Sequence, residues 1–175
     1  MDISLNRFTM GLPSQKLELL IYPDHILKKI ANTVDTYDRA LQWLANQMFV
    51  FMRANRGIGM AASQVGILSR IITVDIEGIE NCLVNPEIVS CCLETVTDTE
   101  GCLSLPSRIF DVNRYIKIEV RARCPEGKSL HFEASGLAAR VLQHEIDHLN
   151  GRLICDHGTE IIVRTDQPKP KRNST

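Results

Sequence analysis

The sequence predicts an α+β domain with a mostly antiparallel sheet, and three observations carry that reading. Helical periodicity is strongest in one early and one late segment, around 38–54 and 136–149. Between them lie β-branched and alternating segments of strand length. Nowhere does strand–helix–strand order repeat, as a parallel sheet would require. At 175 residues the chain is long enough for one domain with a real core and short for two.

Taken in order, residues 1–16 show no clear period, carry Gly11 and Pro13, and read as a loosely held tail. A single catalytic domain is expected over 17–164. Tyr22-Pro23-Asp24 opens a short helix through Ile30, with Ile26, Leu27 and Ile30 on one side. The next helix spans 38–54: Leu41, Leu44, Ala45, Met48, Phe51 and Met52 recur at three and four, and Gly57 follows as a stop. Segments 70–76 and 82–89 are rich in β-branched residues and read as strands. In 100–106, Cys102 follows a glycine and stands before a loop limited by Pro106. Ile116, Ile118, Val120 and Ala122 alternate with charged residues, and Pro125-Glu126-Gly127-Lys128 turns that strand into one carrying Leu130, Phe132 and Ala134. Ser135 can cap a helix to Leu149, closed by Asn150-Gly151. Residues 165–175, with two prolines and no large apolar side chain, read as a disordered tail.

Hydrophobic residues make up 44% and charged residues 23%, with a formal net charge of −1. That balance suits a water-soluble domain and gives no bulk basic charge for nucleic acid or an acidic membrane surface. No run of eighteen apolar residues and no signal-peptide pattern is seen, so a cytoplasmic location without membrane contact is expected. The six cysteines are expected to be reduced, several as small core residues.

The chemistry is concentrated in Gln143-His144-Glu145-Ile146-Asp147-His148 on the late helix. Residues four apart share a helix face, so His144 and His148 can grip one metal ion, with Glu145 beside the first to handle the proton of a hydrolytic water. Leu137 and Val141 continue the same stripe. A hydrolytic site of this kind usually needs a third protein ligand. A long His-Glu-x-x-His-x-x-Gly-x-x-His motif is excluded, because Ile154 stands where its last histidine belongs. Glu160 downstream and Cys102, in Glu100-Gly101-Cys102-Leu103-Ser104-Leu105-Pro106, both remain as sources. Asp147 lies off the histidine face and reads as a supporting group; His25, His131 and His157 lack partners at ligand spacing.

Three blocks decide between these options by resemblance. Gly57-Ile58-Gly59-Met60-Ala61-Ala62-Ser63-Gln64, then Glu-Gly-Cys-Leu-Ser at 100–104, then His-Glu-Ile-Asp-His-Leu-x-Gly at 144–151 together resemble the peptide deformylases, in that family's order. The resemblance extends over about 17–156. It implies a metal helix packed against antiparallel sheets and Cys102, His144 and His148 as ligands. It also implies Gln64 and the Leu103 backbone N–H as oxyanion donors, and Fe²⁺ as the working ion, with Zn²⁺, Ni²⁺ or Co²⁺ able to substitute. The implied substrate is the N-formylmethionyl end of new polypeptides, ribosome-associated nascent chains included, and the implied product is formate. Ile58, Gly59, Gly101, Leu137 and Val141 are expected around the substrate, the glycines letting backbone approach an extended peptide. Two other functions use the same residues: a metallopeptidase or amidase of another substrate class, and a non-catalytic module with a structural metal. The chain departs from the family at Val112-Asn113-Arg114, where Val-Pro-Arg is common, and in both tails.

Overall fold

The computed structural model describes residues 16–76 and 79–161. The expected tails at 1–15 and 165–175 lie outside the described residues. Eight strands and two α-helices form the described architecture, with antiparallel sheets and a late helix between them.

Helix α1 (Arg39–Ala54) begins where Asp38, its backbone extended, accepts the Leu41 N–H. This satisfies one of the amides that a helix start leaves unpaired. Its buried face, Leu41, Leu44, Ala45, Met48 and Met52, is the one that the three–four spacing marked. That face packs on Met60, Ala62, Ile71 and Val84. Strands β1 (Gly59–Ala61), β2 (Ile71–Ile76), β3 (Ile79–Cys91), β6 (Lys117–Arg123) and β7 (Ser129–Ser135) form one sheet in the order β1-β2-β3-β6-β7. The β6/β7 hairpin pairs Lys117 with Ser135 and Arg123 with Ser129, so Ile118, Val120 and Ala122 all reach the core face.

Helix α2 (Gly136–Leu149) lies on this sheet through Val141, Leu142, Ile146 and Leu149, against Ile72, Val74, Leu83 and Val120. Ser135 precedes it in extended geometry, but its side chain makes no capping bond, so the expected cap is a backbone feature only. Gly151, with φ at +70°, ends the helix; a Cβ there would meet the Lys28 backbone.

Two expectations are corrected. The early helix shrinks to one 3-10 turn, His25–Lys28, in which only Leu27 is buried while Ile30 is 72% exposed. The loop expected after Cys102 is only the turn Leu103-Ser104, and it joins two unexpected strands, β4 (Thr95–Cys102) and β5 (Leu105–Tyr115), which with β8 (Thr159–Ile161) form a second sheet ordered β4-β5-β8. Strand β4 is an edge strand whose first five residues are exposed, so it shows no apolar alternation. Leu105, Phe110 and Val112 of β5 and Ile154 make a third apolar cluster. Both sheets thus reach α2, β1 through Gly59 beside Glu145 and the end of β4 through Cys102 beside His148.

Candidate metal centre

The helical repeat brings His144 and His148 together with their ring centroids 5.0 Å apart. Both are buried. The end of β4 delivers Cys102 to the same place: its Sγ lies 3.3 Å from His148 Nε2. One donor atom from each of Cys102, His144 and His148 lies within 4.8 Å of the others. A thiolate and two imidazoles are a borderline-soft set suited to a first-row divalent cation, and three protein donors leave a further position for water or substrate. Glu160, the rival third ligand, is not in this group; it holds Arg108 through two hydrogen bonds of 2.7 and 2.8 Å.

The imidazoles differ in their surroundings. His144 Nδ1 donates to Glu100 Oε2 at 2.9 Å, which leaves Nε2 to face the other donors. Burial disfavours its charged form, yet the Cys102 and Glu100 partners outweigh this and hold its pKa at about 10. A cation at His144 must therefore displace a proton. Burial drives His148 well below the ordinary histidine value, with the His144 charge adding to it. Its Nδ1 is buried without a hydrogen-bond partner, and so is Glu145 Oε2.

Glu145 is 3% exposed, and burial pushes its carboxyl up to about 7, against the pull of His144. A carboxyl poised there can both accept and return a proton near neutral pH. Beside the cysteine, Gln64 sits in a 3-10 turn, Ala62–Val65. The Ala61 N–H donates to its Oε1 at 2.9 Å, turning its Nε2 toward Cys102 Sγ (3.6 Å) and Ser104 Oγ (3.1 Å).

This helix, thiolate and buried carboxylate sit in a chain whose residues 16–163 match the model of the polypeptide deformylase family. The chain belongs to that family. The peptide deformylase of Bartonella quintana is 40% identical over 165 residues, covering 89% of this chain and 94% of that protein. The crystal structure of the Thermotoga maritima peptide deformylase superposes with a TM-score of 0.80 at 36% identity, over 82% of this chain and 97% of that one. That of Legionella pneumophila gives 0.78 at 42% identity, over 82% and 86%.

Several of the marked residues lie around this donor cluster. Gly59 lies against Glu145 and Val141; a Cβ there would collide with Glu145 Oε1 and stand 2.7 Å from Val141 Cγ1. Gly57 lies against Leu103, whose Cδ1 would be 2.9 Å from a Cβ. Gly101 is exposed and has room for one. Ile58 and Leu137 are 46% and 57% exposed, so neither is a core residue. A surface concavity of about 470 Å³, lined by Glu87, Arg121 and His131 among others, lies on β3, β6 and β7 and includes none of these groups.

Sequence reasoning missed the charges beneath the site. Glu100 accepts from Arg114 Nε at 2.9 Å and Nη2 at 3.1 Å, and Arg114 Nη1 reaches Asp147. Burial works to raise the Glu100 pKa, but the hydrogen bonds from His144 and Arg114 prevail and hold it at about 2. Asp147 is thereby the supporting group that its off-face position implied. Arg140 also grips Glu100, at 2.8 Å. The available signal was an arginine one turn before His144 on the same helix face, where a buried guanidinium requires a partner.

The Gly59 contact carries a prediction. Gly59→Ala should push the Glu145 carboxylate aside and lower kcat/KM about a hundredfold, the usual effect of an ångström-scale misplacement. Metal content should be unchanged. Steady-state kinetics and metal analysis on one preparation check both statements; normal turnover would mean that the carboxylate has slack.

Proposed function

We propose that this chain hydrolyses the formyl amide on the N-terminal methionine of newly made polypeptides, releasing formate and a free amine. The observation that carries the reading is the Cys102–His144–His148 donor cluster beside Glu145, whose buried Oε2 has no hydrogen-bond partner, in a chain of the deformylase family. In this reading Cys102, His144 and His148 hold one divalent cation per chain, which supplies Lewis acidity and brings the pKa of water toward neutrality. Glu145 takes a proton as the water oxygen bonds to the formyl carbon. When the carbon–nitrogen bond breaks, Glu145 returns that proton to the departing amine. The Gln64 amide and the Leu103 N–H face the oxygen on which negative charge develops. Gly59 and Gly101 pair with an extended substrate backbone, and Ile58, Leu137 and Val141 flank the methionine side chain.

Formyl is the smallest acyl group, so crowding by Leu103 and Gln64 rejects acetyl by size. The test is formate release from formyl-Met peptides against acetate release from acetyl-Met peptides. Strong preference for formyl is expected; equal turnover would contradict the assignment and favour a general amidase.

We assign Fe²⁺ as the working ion. Iron and its thiolate ligand are open to oxidation at a site that water must reach. Iron-loaded protein should lose activity in air, nickel- and cobalt-loaded protein should keep it, and zinc should be less active. Among the six cysteines, Cys102 should be the one that gains oxygen, as read by mass analysis. Full air-stable activity with zinc would contradict the iron assignment alone. The substrates are nascent chains at the ribosome, in the cytoplasm; no helix among the described residues is long and apolar enough to cross a membrane.

A further inference from the structure

We propose that Arg140 is a positioning residue of the metal centre: by completing the grip on Glu100 it fixes the His144 ring and slows loss of the cation. The proposal rests on the metal reading above.

Arg140 lies one helical turn before His144 on α2 and is 6% exposed. Its Nη1 donates to Glu100 Oε1 at 2.8 Å, to the Val112 carbonyl at 2.8 Å and to the Asp98 carbonyl at 3.4 Å. Its Nη2 donates to the Val96 carbonyl at 2.8 Å. A carboxylate offers about four acceptor positions. At Glu100 four donors meet them: Arg114 Nε and Arg140 Nη1 on Oε1, and Arg114 Nη2 and His144 Nδ1 on Oε2. With every position taken, the carboxylate cannot turn away from His144. The arrangement matters because the other imidazole has no such support: His148 Nδ1 is without a hydrogen-bond partner. Of the two imidazoles, only His144 is oriented by a buried carboxylate, and that carboxylate is held by its two arginines.

Charge points the same way. Glu100 faces Arg114 and Arg140, and Asp147 faces Arg114, so two buried guanidinium groups meet at Glu100 beneath the ligands. Arg152 (3.8 Å) and His157 (3.7 Å) also lie beside Asp147, but without Arg140 the buried Glu100 keeps a single guanidinium, that of Arg114, which it shares with Asp147.

A purely structural reading is also available, since Arg140 straps β4 to β5 through the Val96 and Val112 carbonyls. A double-mutant cycle with Glu100→Gln separates the two. The readout is the rate at which cobalt-loaded protein surrenders its metal to a colorimetric chelator, with the Co²⁺ visible spectrum recorded alongside. In the wild-type background, Arg140→Met should speed metal loss roughly 10- to 100-fold, the usual effect of removing a group that orients a ligand, and should shift the Co²⁺ bands. In the Glu100→Gln background the same change should add less than about threefold. Arg140→Lys, which keeps the charge and one donor, should recover much of the retention and provides the measurement if Arg140→Met does not fold. Arg108→Met, at a surface ion pair, should change neither readout. Equal acceleration by the Arg140 substitution in both backgrounds, or a folded variant with unchanged metal loss and spectrum, would overturn the proposal alone. A wild-type chain that holds no cation would overturn it together with the metal reading.

Discussion

Glu145→Ala should abolish nearly all turnover while the protein keeps its metal. General acid–base catalysis contributes roughly two to four orders of magnitude, and here one carboxyl serves both halves of the reaction. The buried side chain is not among the clustered metal donors, so its loss should leave the cation in place. Glu145→Gln separates this from loss of packing, because it keeps the shape and removes the ionisable group. It carries a second expectation with an opposite sign. Burial raises the folded-state pKa from 4.5 to about 7, so the folded form holds its proton more tightly than the unfolded chain does. Ionisation therefore weakens the metal-free fold progressively as pH rises through that window. Above it the penalty is on the order of 3 kcal/mol, which Glu145→Gln should remove. The metal-free variant should unfold at a higher temperature than wild type near pH 8 and at about the same temperature near pH 4. Paired kinetics, metal analysis and thermal unfolding check these outcomes. A metal-free preparation of Glu145→Ala after loading, or one with near-normal turnover, would contradict the assignment.

Loss of a ligand should have an effect as large by a different route. Cys102→Ala and His148→Ala should each release the cation and lose activity with it, since two donors cannot replace three. Cys102→Ala removes the thiolate, and no other cysteine joins this donor group. The two classes of variant therefore separate on metal content: Glu145→Ala inactive and loaded, Cys102→Ala inactive and empty. Full occupancy in Cys102→Ala would remove the cysteine from the ligand set.

Much of this was legible because it is local and periodic. The three–four spacing in α1 and the alternation in β6 and β7 each mark one face, and the structure turns those faces inward. Helix α2, by contrast, is buried on nearly every side from Ala139 to Leu149 and leaves Leu137 of its expected stripe exposed. The same spacing puts His144 and His148 side by side. Cys102 was recognisable only through the block around it, because its approach to His148 spans 46 residues and leaves no period in the sequence. The β4/β5 hairpin escaped for a related reason. Thr95, Thr97 and Thr99 lie on an exposed edge, where solvent sets no apolar pattern, and Pro106 near the start of β5 reads as a breaker. The Glu100–Arg114–Arg140 set was illegible for want of any local rule. Each member answers a desolvation cost created by another element, and only the folded arrangement pairs them.

Hydrolysis should need the cation held by Cys102, His144 and His148. The most direct test is formate release from a formyl-Met peptide, measured against bound metal per chain in protein stripped to graded extents under nitrogen. Activity should rise in proportion to occupancy, approach zero in stripped protein and reach its maximum at one ion per chain. Full turnover in the stripped protein, or turnover independent of occupancy, would contradict the account.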